Sequence, residues 1–219
     1  MTMKYAKRCL LTGIFLFVVF AAWSETSAQN WVAVRWVADG DTIILKDGRR
    51  VRYIGIDTPE VAHENRRAEP MGQAAKAFNS ELVSGRRIRL EKDREEKDRY
   101  GRILAYVYRE DGLFVNAELL RNGFAHVLYR FPNSARAGEL LDVQREAMKQ
   151  GRGIWRRINK NEHPVHAYLG NRRSKRFHVY DCLQGNRMSA KNRVWLKNQW
   201  AAFWEGYAPA KGCIVFPTE

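Results

Sequence analysis

The sequence of 219 residues predicts an α+β fold that is mainly β. We expect a small closed barrel of five short strands with about three helices, followed by a small α/β module. Short runs of β-branched and aromatic residues are separated by turn signals such as Asp-Gly. Helical spacing of apolar residues appears in a few segments between and after these runs. Short strands interrupted by helices favour a barrel over an open sheet.

The five predicted strands lie in the first half of the chain. Their expected bounds are 31–37, 42–45, 51–56, 87–90 and 103–108. The segments Asp39-Gly40-Asp41 and Asp47-Gly48 are turn signals that separate the first three strands. In the fourth strand arginines alternate with apolar residues, which is typical of a strand with one buried face.

Three helices are predicted alongside the strands. Their expected spans are about 73–83, 116–120 and 134–150. A glycine that suits the position just beyond a helix C-terminus follows each of them, at Gly85, Gly123 and Gly151. We expect Asn116 to cap the second helix, and Asn133 or Ser134 to cap the third.

The N-terminal segment has the order of a secretory signal peptide. Basic residues at Lys4, Lys7 and Arg8 precede the apolar run Cys9–Ala22, and small residues follow as far as residue 28. The apolar run is short for a membrane span of about 20 residues, although an uncleaved anchor is the alternative. We therefore expect a signal peptide at residues 1–28, a secreted or periplasmic protein, and no membrane association after cleavage.

The composition of the chain after residue 28 indicates two domains joined by a linker. A polar stretch with Pro164 at residues 156–166 is expected to link a barrel domain at 29–155 to a module at 167–219. The formal net charge of +14 favours a polyanionic partner, most commonly nucleic acid. A solvated basic surface or attraction to anionic lipid is the alternative. The chain after residue 155 carries twelve Lys and Arg against four Asp and Glu, so the attraction is concentrated there.

The most informative motif is the run from Arg52 to Glu60, Arg-Tyr-Ile-Gly-Ile-Asp-Thr-Pro-Glu. It follows Asp39-Gly40-Asp41-Thr42 closely, and Asp98-Arg99-Tyr100-Gly101-Arg102 follows far downstream. Aspartates suit a hard metal ion, and a guanidinium can hold a phosphate through two parallel hydrogen bonds. Each motif alone has an ordinary structural explanation, such as a turn or a helix cap. Together they point to cleavage of a phosphodiester.

These motifs resemble the staphylococcal nuclease family over roughly residues 32–155. The resemblance implies an OB-fold, a five-stranded Greek-key barrel whose open face often binds oligonucleotides. It implies that Glu60 acts as a general base on water. It also implies that Arg52 and Arg102 stabilise the phosphorane-like transition state.

The same resemblance implies a metal ion and a substrate surface. Ca²⁺, or alternatively Mg²⁺, would be held by Asp41, Asp57 and the backbone carbonyl of Thr58. Tyr129 and Phe131 match family positions near the substrate, where a ring can stack on a base. The alternative for both rings is packing against the barrel. Asp39 and Asp98 are expected to support the site, although Asp98 could instead pair with a neighbouring base in its loop.

The C-terminal module resembles the cysteine-rich, zinc-binding module of methylphosphotriester DNA-repair proteins. Its usual ending is Pro-Cys-x-x-Cys, and Ala210 stands at the first of these cysteines. Cys182, Cys213 and His178 are the remaining candidate ligands, whereas a closed structural zinc site needs four. In an exported protein we therefore favour a Cys182–Cys213 disulfide over zinc. The basic run at 172–176 is either a DNA contact without sequence preference or a solvated loop.

The predicted function is that of an exported, metal-dependent endonuclease acting on DNA, with RNA left open. Nucleic acid is the expected partner, and no protein partner is implied. The alternative is a catalytically weak, nucleic-acid-binding OB-fold protein of the cell envelope. A third hypothesis is that the chain is a basic envelope protein that retains the fold for adhesion.

Overall fold

The computed structural model describes residues 31–62 and 67–214. The predicted signal segment at 1–28 lies outside these residues. The strands are β1 (Trp31–Asp39), β2 (Thr42–Leu45), β3 (Arg50–Tyr53), β4 (Ile56–Asp57), β5 (Arg87–Glu91), β6 (Ile103–Arg109), β7 (His126–Val127), β8 (Tyr168–Asn171), β9 (Arg176–His178), β10 (Arg193–Leu196) and β11 (Ala208–Pro209). The α-helices are α1 (Gly72–Val83), α2 (Val115–Arg121), α3 (Ala137–Lys149), α4 (Leu183–Asn186) and α5 (Gln199–Trp204). Within the described ranges, no helix has the length and apolar character needed to cross a bilayer.

Strands β1, β2, β3, β6 and β5 close into a barrel in that order, which confirms the predicted fold class. All neighbours are antiparallel except β3 and β6, which run parallel. In β3 the side chains of Val51 and Tyr53 are buried, whereas Arg50 is exposed and Arg52 is half-buried. This alternation is what a barrel wall requires, and it directs Arg52 away from the barrel core.

The predicted strand at 51–56 is interrupted. Gly55 has a φ of 81°, in the left-handed region that favours glycine, and the chain turns there. The following strand β4 leaves the barrel and pairs antiparallel with β7, so that Asp57 lies opposite His126. The break therefore carries Asp57 out of the barrel wall.

Both predicted helix caps are wrong, because these side chains bind elsewhere. Asn116 is buried inside α2, where its side chain accepts from Val107 N at 2.9 Å and donates to Ile54 O at 2.8 Å. The side chain of Asn133 accepts from Glu95 N at 2.7 Å and donates to the carbonyl of the same residue at 2.8 Å. Helix α3 begins only at Ala137, without a side-chain cap, and the Ser134 hydroxyl donates to Pro132 O at 3.5 Å instead.

The C-terminal residues form a four-stranded sheet of order β10-β8-β9-β11, with α4 and α5 beside it. Its core continues into the barrel half of the chain. The ring of Phe203 lies 5.1 Å from that of Trp155 and 5.3 Å from that of Phe177, both in edge-to-face geometry. Ile158, within the predicted linker, is buried in the same core. The C-terminal module therefore shares a hydrophobic core with the end of the barrel domain.

Helix α3 also joins the two parts through polar contacts. The buried side chain of Gln144 accepts from Val127 N at 2.6 Å and donates to Phe203 O at 2.7 Å. Next to it, Arg145 Nε donates to Trp204 O at 3.0 Å. These bonds hold the module in a defined orientation against the barrel.

Candidate active site

A cluster of carboxylates forms where the β1–β2 turn meets the end of β4. Asp39, Asp41 and Asp57 are all buried. Asp39 Oδ1 accepts from Gly40 N at 2.8 Å, and Asp41 Oδ2 accepts from Thr58 N at 3.0 Å. The second bond ties the turn to the residue after β4, and so brings two motifs that are separate in the sequence into one site.

Arg52 connects the two predicted aspartate ligands of a metal. Its guanidinium forms ion pairs with Asp41 through Nη1 and with Asp57 through Nη2. The arginine side chain is only 13% exposed. The two carboxylates therefore converge on one point beside a buried positive charge.

The cluster holds more negative charge than its environment favours. Burial, and then the charge of Asp41, raise the pKa of Asp39 to about 7. Burial also raises the pKa of Asp41, although the charge of Arg52 opposes this. Burial would raise the pKa of Asp57 as well, but Arg52 and then His126 hold it below its ordinary value. Burial therefore disfavours the charged forms of Asp39 and Asp41, whereas the nearby positive charges favour the charged form of Asp57.

Glu60 is fixed through its backbone. Glu60 N donates to Glu69 Oε2 at 3.0 Å, and Glu69 N donates to Glu60 O at 2.9 Å. Gly72 approaches so closely that an added Cβ would lie 2.3 Å from Glu60 O. The Glu60 side chain is 19% exposed, and Lys211 Nζ of the C-terminal module lies 2.9 Å from its Oε1. A cation from the far end of the chain therefore contacts the predicted general base.

Arg102 is held by Asp98. Arg102 Nε and Nη2 each lie 2.7 Å from Asp98 Oδ2. Asp98 Oδ1 accepts from the backbone N of Tyr100 at 2.9 Å and of Arg102 at 3.0 Å. Burial would raise the pKa of Asp98, but the bonds from Arg102 and the backbone lower it. Asp98 therefore pairs with a neighbouring base of its own loop, Arg102, which is the alternative stated above for this residue.

The two predicted catalytic arginines share one cleft. Arg52 and Arg102 both line it, together with Arg130 and Asn133. Their guanidinium groups come from adjacent strands or strand ends, since β3 pairs with β6 and Arg102 directly precedes β6. The cleft is thus suited to an anion that both arginines contact.

The two predicted substrate rings differ in their environment. Tyr129 is half-buried and packs against the barrel core, and a Cβ added to Gly206 would lie 2.9 Å from its ring. Phe131 is 83% exposed. Both residues line a groove between the barrel and the C-terminal module. Packing against the barrel therefore explains part of the environment of the Tyr129 ring, but it does not explain the exposed ring of Phe131.

In the C-terminal module, Cys182 and Cys213 form a disulfide with their Cα atoms 5.8 Å apart. His178 Nδ1 lies 3.4 Å from each sulfur. The ligand atoms of the three residues lie within 4.8 Å of one another, so reduced thiols could share a metal with this histidine. A bonded pair of sulfurs does not leave two thiolates for zinc, so the two uses exclude each other.

Sequence reasoning missed several residues of this region. Arg130 and Asn133 lie close in sequence to the predicted rings, and that proximity is a usable signal. Lys211 and His126 carry no such signal, because strand pairing and module packing bring them to the site. His126 is fully buried, and burial lowers its pKa.

A closed five-stranded barrel with two arginines beside buried carboxylates defines a protein of the OB-fold class. The family profile described as "Staphylococcal nuclease homologue" matches residues 50–157. The thermonuclease of Staphylococcus intermedius is 45% identical over 127 residues, which are 57% of this chain and 75% of that protein. The thermonuclease of Staphylococcus hyicus is 38% identical over 138 residues, which are 62% and 80% of the two chains.

A third relative, endonuclease YncB of Bacillus subtilis strain 168, is 39% identical over 122 residues, covering 53% of this chain and 57% of that protein. The chain belongs to the staphylococcal nuclease family. The family profile ends before the C-terminal module begins at β8.

Proposed function

We propose that this member of a nuclease family is an exported, Ca²⁺-dependent endonuclease that hydrolyses DNA, with RNA as a second candidate substrate. The observation that carries the proposal is the convergence of Asp41 and Asp57 on Arg52, with Arg102 in the same cleft. Glu60 lies only a few residues beyond this cluster, on a rigidly held segment.

The donor set fits a hard divalent cation. Asp41 and Asp57 are both buried and both contact the Arg52 guanidinium, and carboxylate oxygens are ligands that Ca²⁺ and Mg²⁺ prefer. The buried hydroxyl of Thr58 has no hydrogen-bond partner among the described residues, and so leaves a further oxygen beside Asp41. Asp41, Asp57 and the backbone carbonyl of Thr58 would hold the ion, with the Thr58 hydroxyl as a further oxygen nearby. When bound, Ca²⁺ would neutralise charge on the phosphate and acidify a water molecule.

The residues of the chain supply the rest of the chemistry. Glu60 takes a proton from the attacking water, or orients that water against the phosphorus. Arg52 and Arg102 donate hydrogen bonds to the phosphate oxygens, whose negative charge grows in the transition state. Asp98 orients the Arg102 guanidinium through its Nε and Nη2. No covalent intermediate with the protein is needed.

Export is proposed from the signal-like segment at 1–28. The Cys182–Cys213 disulfide supports it, because disulfides persist in oxidising compartments. A secreted or periplasmic nuclease would meet nucleic acid outside the cytoplasm. Two-step fractionation of expressing cells, with N-terminal sequencing of the mature protein, measures both export and cleavage.

The test of function is digestion of plasmid DNA and of a long RNA by the purified protein. We expect cleavage with added Ca²⁺, loss of cleavage in excess EDTA, and recovery when Ca²⁺ is restored. The Glu60→Gln variant is the control for a contaminating nuclease. Full cleavage in EDTA would contradict the metal site. Tight DNA binding without cleavage, with Ca²⁺ or Mg²⁺, would favour the alternative of a binding protein of the envelope.

A further inference from the structure

A groove of about 790 Å³ runs between the barrel and the C-terminal module. One wall is the segment after β7, with Tyr129, Arg130 and Phe131. The other wall is the turn that joins β8 to β9, at residues 171–176. The family profile ends at residue 157, so the second wall lies outside the region that defines the family.

The groove has the chemistry of a polyanion site. Five of the residues that line it are basic, and none of the described lining residues is acidic. The basic residues are Arg130, Arg172, Arg173, Lys175 and Arg176. At its edge Phe131 presents a ring that is 83% exposed. Cations along a channel together with an exposed ring are the means by which proteins hold single-stranded nucleic acid.

The second wall is ordered by its own hydrogen bonds. Asn171 Oδ1 accepts from the backbone N of Arg173 at 2.9 Å and of Ser174 at 3.1 Å. Lys175 adopts a left-handed φ of 53°, and its carbonyl accepts from Ala208 N at 2.9 Å. The turn is thereby fixed to β11, and the side chains of Arg172 and Arg173 are left exposed.

The groove is continuous with the cleft of the catalytic arginines. Arg130 and Asn133 line both. Arg176 lines the groove and lies near enough to the cleft for the charges of Asp57 and Arg52 to act on it. A strand bound in the groove would therefore lead toward the cleft in which Arg52 is proposed to contact the scissile phosphate.

We propose that the β8–β9 turn is the second wall of the substrate site, and that the groove holds a single-stranded segment of the polynucleotide next to the scissile phosphate. This inference rests on the proposed nuclease function and deepens it. Arg172 and Arg173 contact backbone phosphates, and Phe131 stacks on a base. A duplex keeps its bases inside the stack, where Phe131 cannot reach them, so the groove favours unpaired substrate.

The experiment compares two double variants of the full-length mature protein. In the first, Arg172 and Arg173 are changed to Ser. The matched control is Arg187→Ser with Lys191→Ser, since both residues are exposed bases of the same module that do not line the groove. Steady-state cleavage is measured on a single-stranded 20-mer and on a dinucleotide, and 20-mer binding is measured in EDTA as a function of salt.

For the groove pair we expect KM on the 20-mer to rise about tenfold with kcat unchanged, because two phosphate contacts are lost. The slope of log affinity against log salt should fall by about 1.4. Cleavage of the dinucleotide and both properties of the control pair should stay at the wild-type level. As a second readout, Phe131→Ala should weaken binding of single-stranded DNA more than binding of a duplex.

Equal effects of the two pairs would overturn the inference, because they would reflect net charge rather than the groove. An unchanged KM and salt slope in the groove pair would overturn it as well. If the wild-type protein binds the 20-mer through Arg172 and Arg173 but never cleaves it, the nuclease proposal fails while the groove stands. If the wild-type protein cleaves the 20-mer, and the Arg172 and Arg173 substitutions change neither KM nor the salt slope, only the groove inference fails.

Discussion

The side chain of Gln144 is a buried polar connection between the barrel and the C-terminal module, and its loss should reduce stability. It is fully buried, and it satisfies Val127 N at 2.6 Å and Phe203 O at 2.7 Å. In Gln144→Ala the buried Val127 N loses its partner, whereas Phe203 O keeps the hydrogen bond that it accepts from Gly206 N at 3.0 Å. One unsatisfied buried group costs about 1–3 kcal/mol, so we expect a loss of about 1–3 kcal/mol in the free energy of unfolding.

The assay is equilibrium unfolding in urea, followed by tryptophan fluorescence, on the disulfide-intact protein. Trp155 belongs to the core that Gln144 adjoins, and Trp200 and Trp204 pack against it, so tryptophan emission is sensitive to the junction. Gln150→Ala is the control, because the exposed Gln150 side chain bonds the exposed Glu146 at 2.6 Å. It should change stability by less than about 0.5 kcal/mol. A Gln144→Ala protein within 1 kcal/mol of wild type would refute the reasoning.

Three further predictions concern the active site. Glu60→Gln and Arg102→Ala should each lower kcat by about 10²–10³-fold with unchanged circular dichroism; a wild-type rate in either variant would remove that residue from the mechanism. In metal-free protein the raised pKa of Asp39, about 7, means that the folded state binds a proton more tightly than the unfolded state. Stability should therefore fall as pH rises from about 4 to 7. In thermal melts, Asp39→Asn should flatten this dependence of stability on pH. An unchanged slope of stability against pH in the variant would contradict the role of Asp39. Lys211→Met should change the free energy of unfolding by less than about 1 kcal/mol, because Lys211 is 60% exposed; a loss above 2 kcal/mol in urea unfolding would show that the contact is structural.

The barrel could be predicted because its signals are local. Alternation of apolar and polar residues and Asp-Gly turns depend on neighbouring positions, and β2 was predicted to the residue. The sequence did not predict the break of the third strand at Gly55. A continuous apolar run predicts one strand, and its pattern does not show whether the whole run pairs within one sheet. The buried roles of Asn116 and Asn133 were missed for a related reason, because an asparagine before a helix looks like a cap until its distant partner is known.

The same difference between local signals and distant partners applies to the candidate site. Arg52 and Asp57 belong to one short motif, so their proximity follows from the sequence alone. The pairing of Arg102 with Asp98 is also local, within one tight loop. In contrast, the contact between Lys211 and Glu60 spans 151 positions. It depends on a shared core and on the path of β11, which no pattern of adjacent residues encodes.

The distance between those two residues along the chain has a consequence for biosynthesis. A protein is made from its N-terminus, at roughly 5–20 residues per second. The last barrel strand ends at Arg109, and Lys211 emerges about a hundred residues later. Phe203, which accepts the Gln144 bond, and the β8–β9 turn also come late. A chain still being made thus carries the barrel before it carries the second wall of the groove. The order of synthesis thereby delays the proposed second wall of the groove until well after the barrel strands have been made.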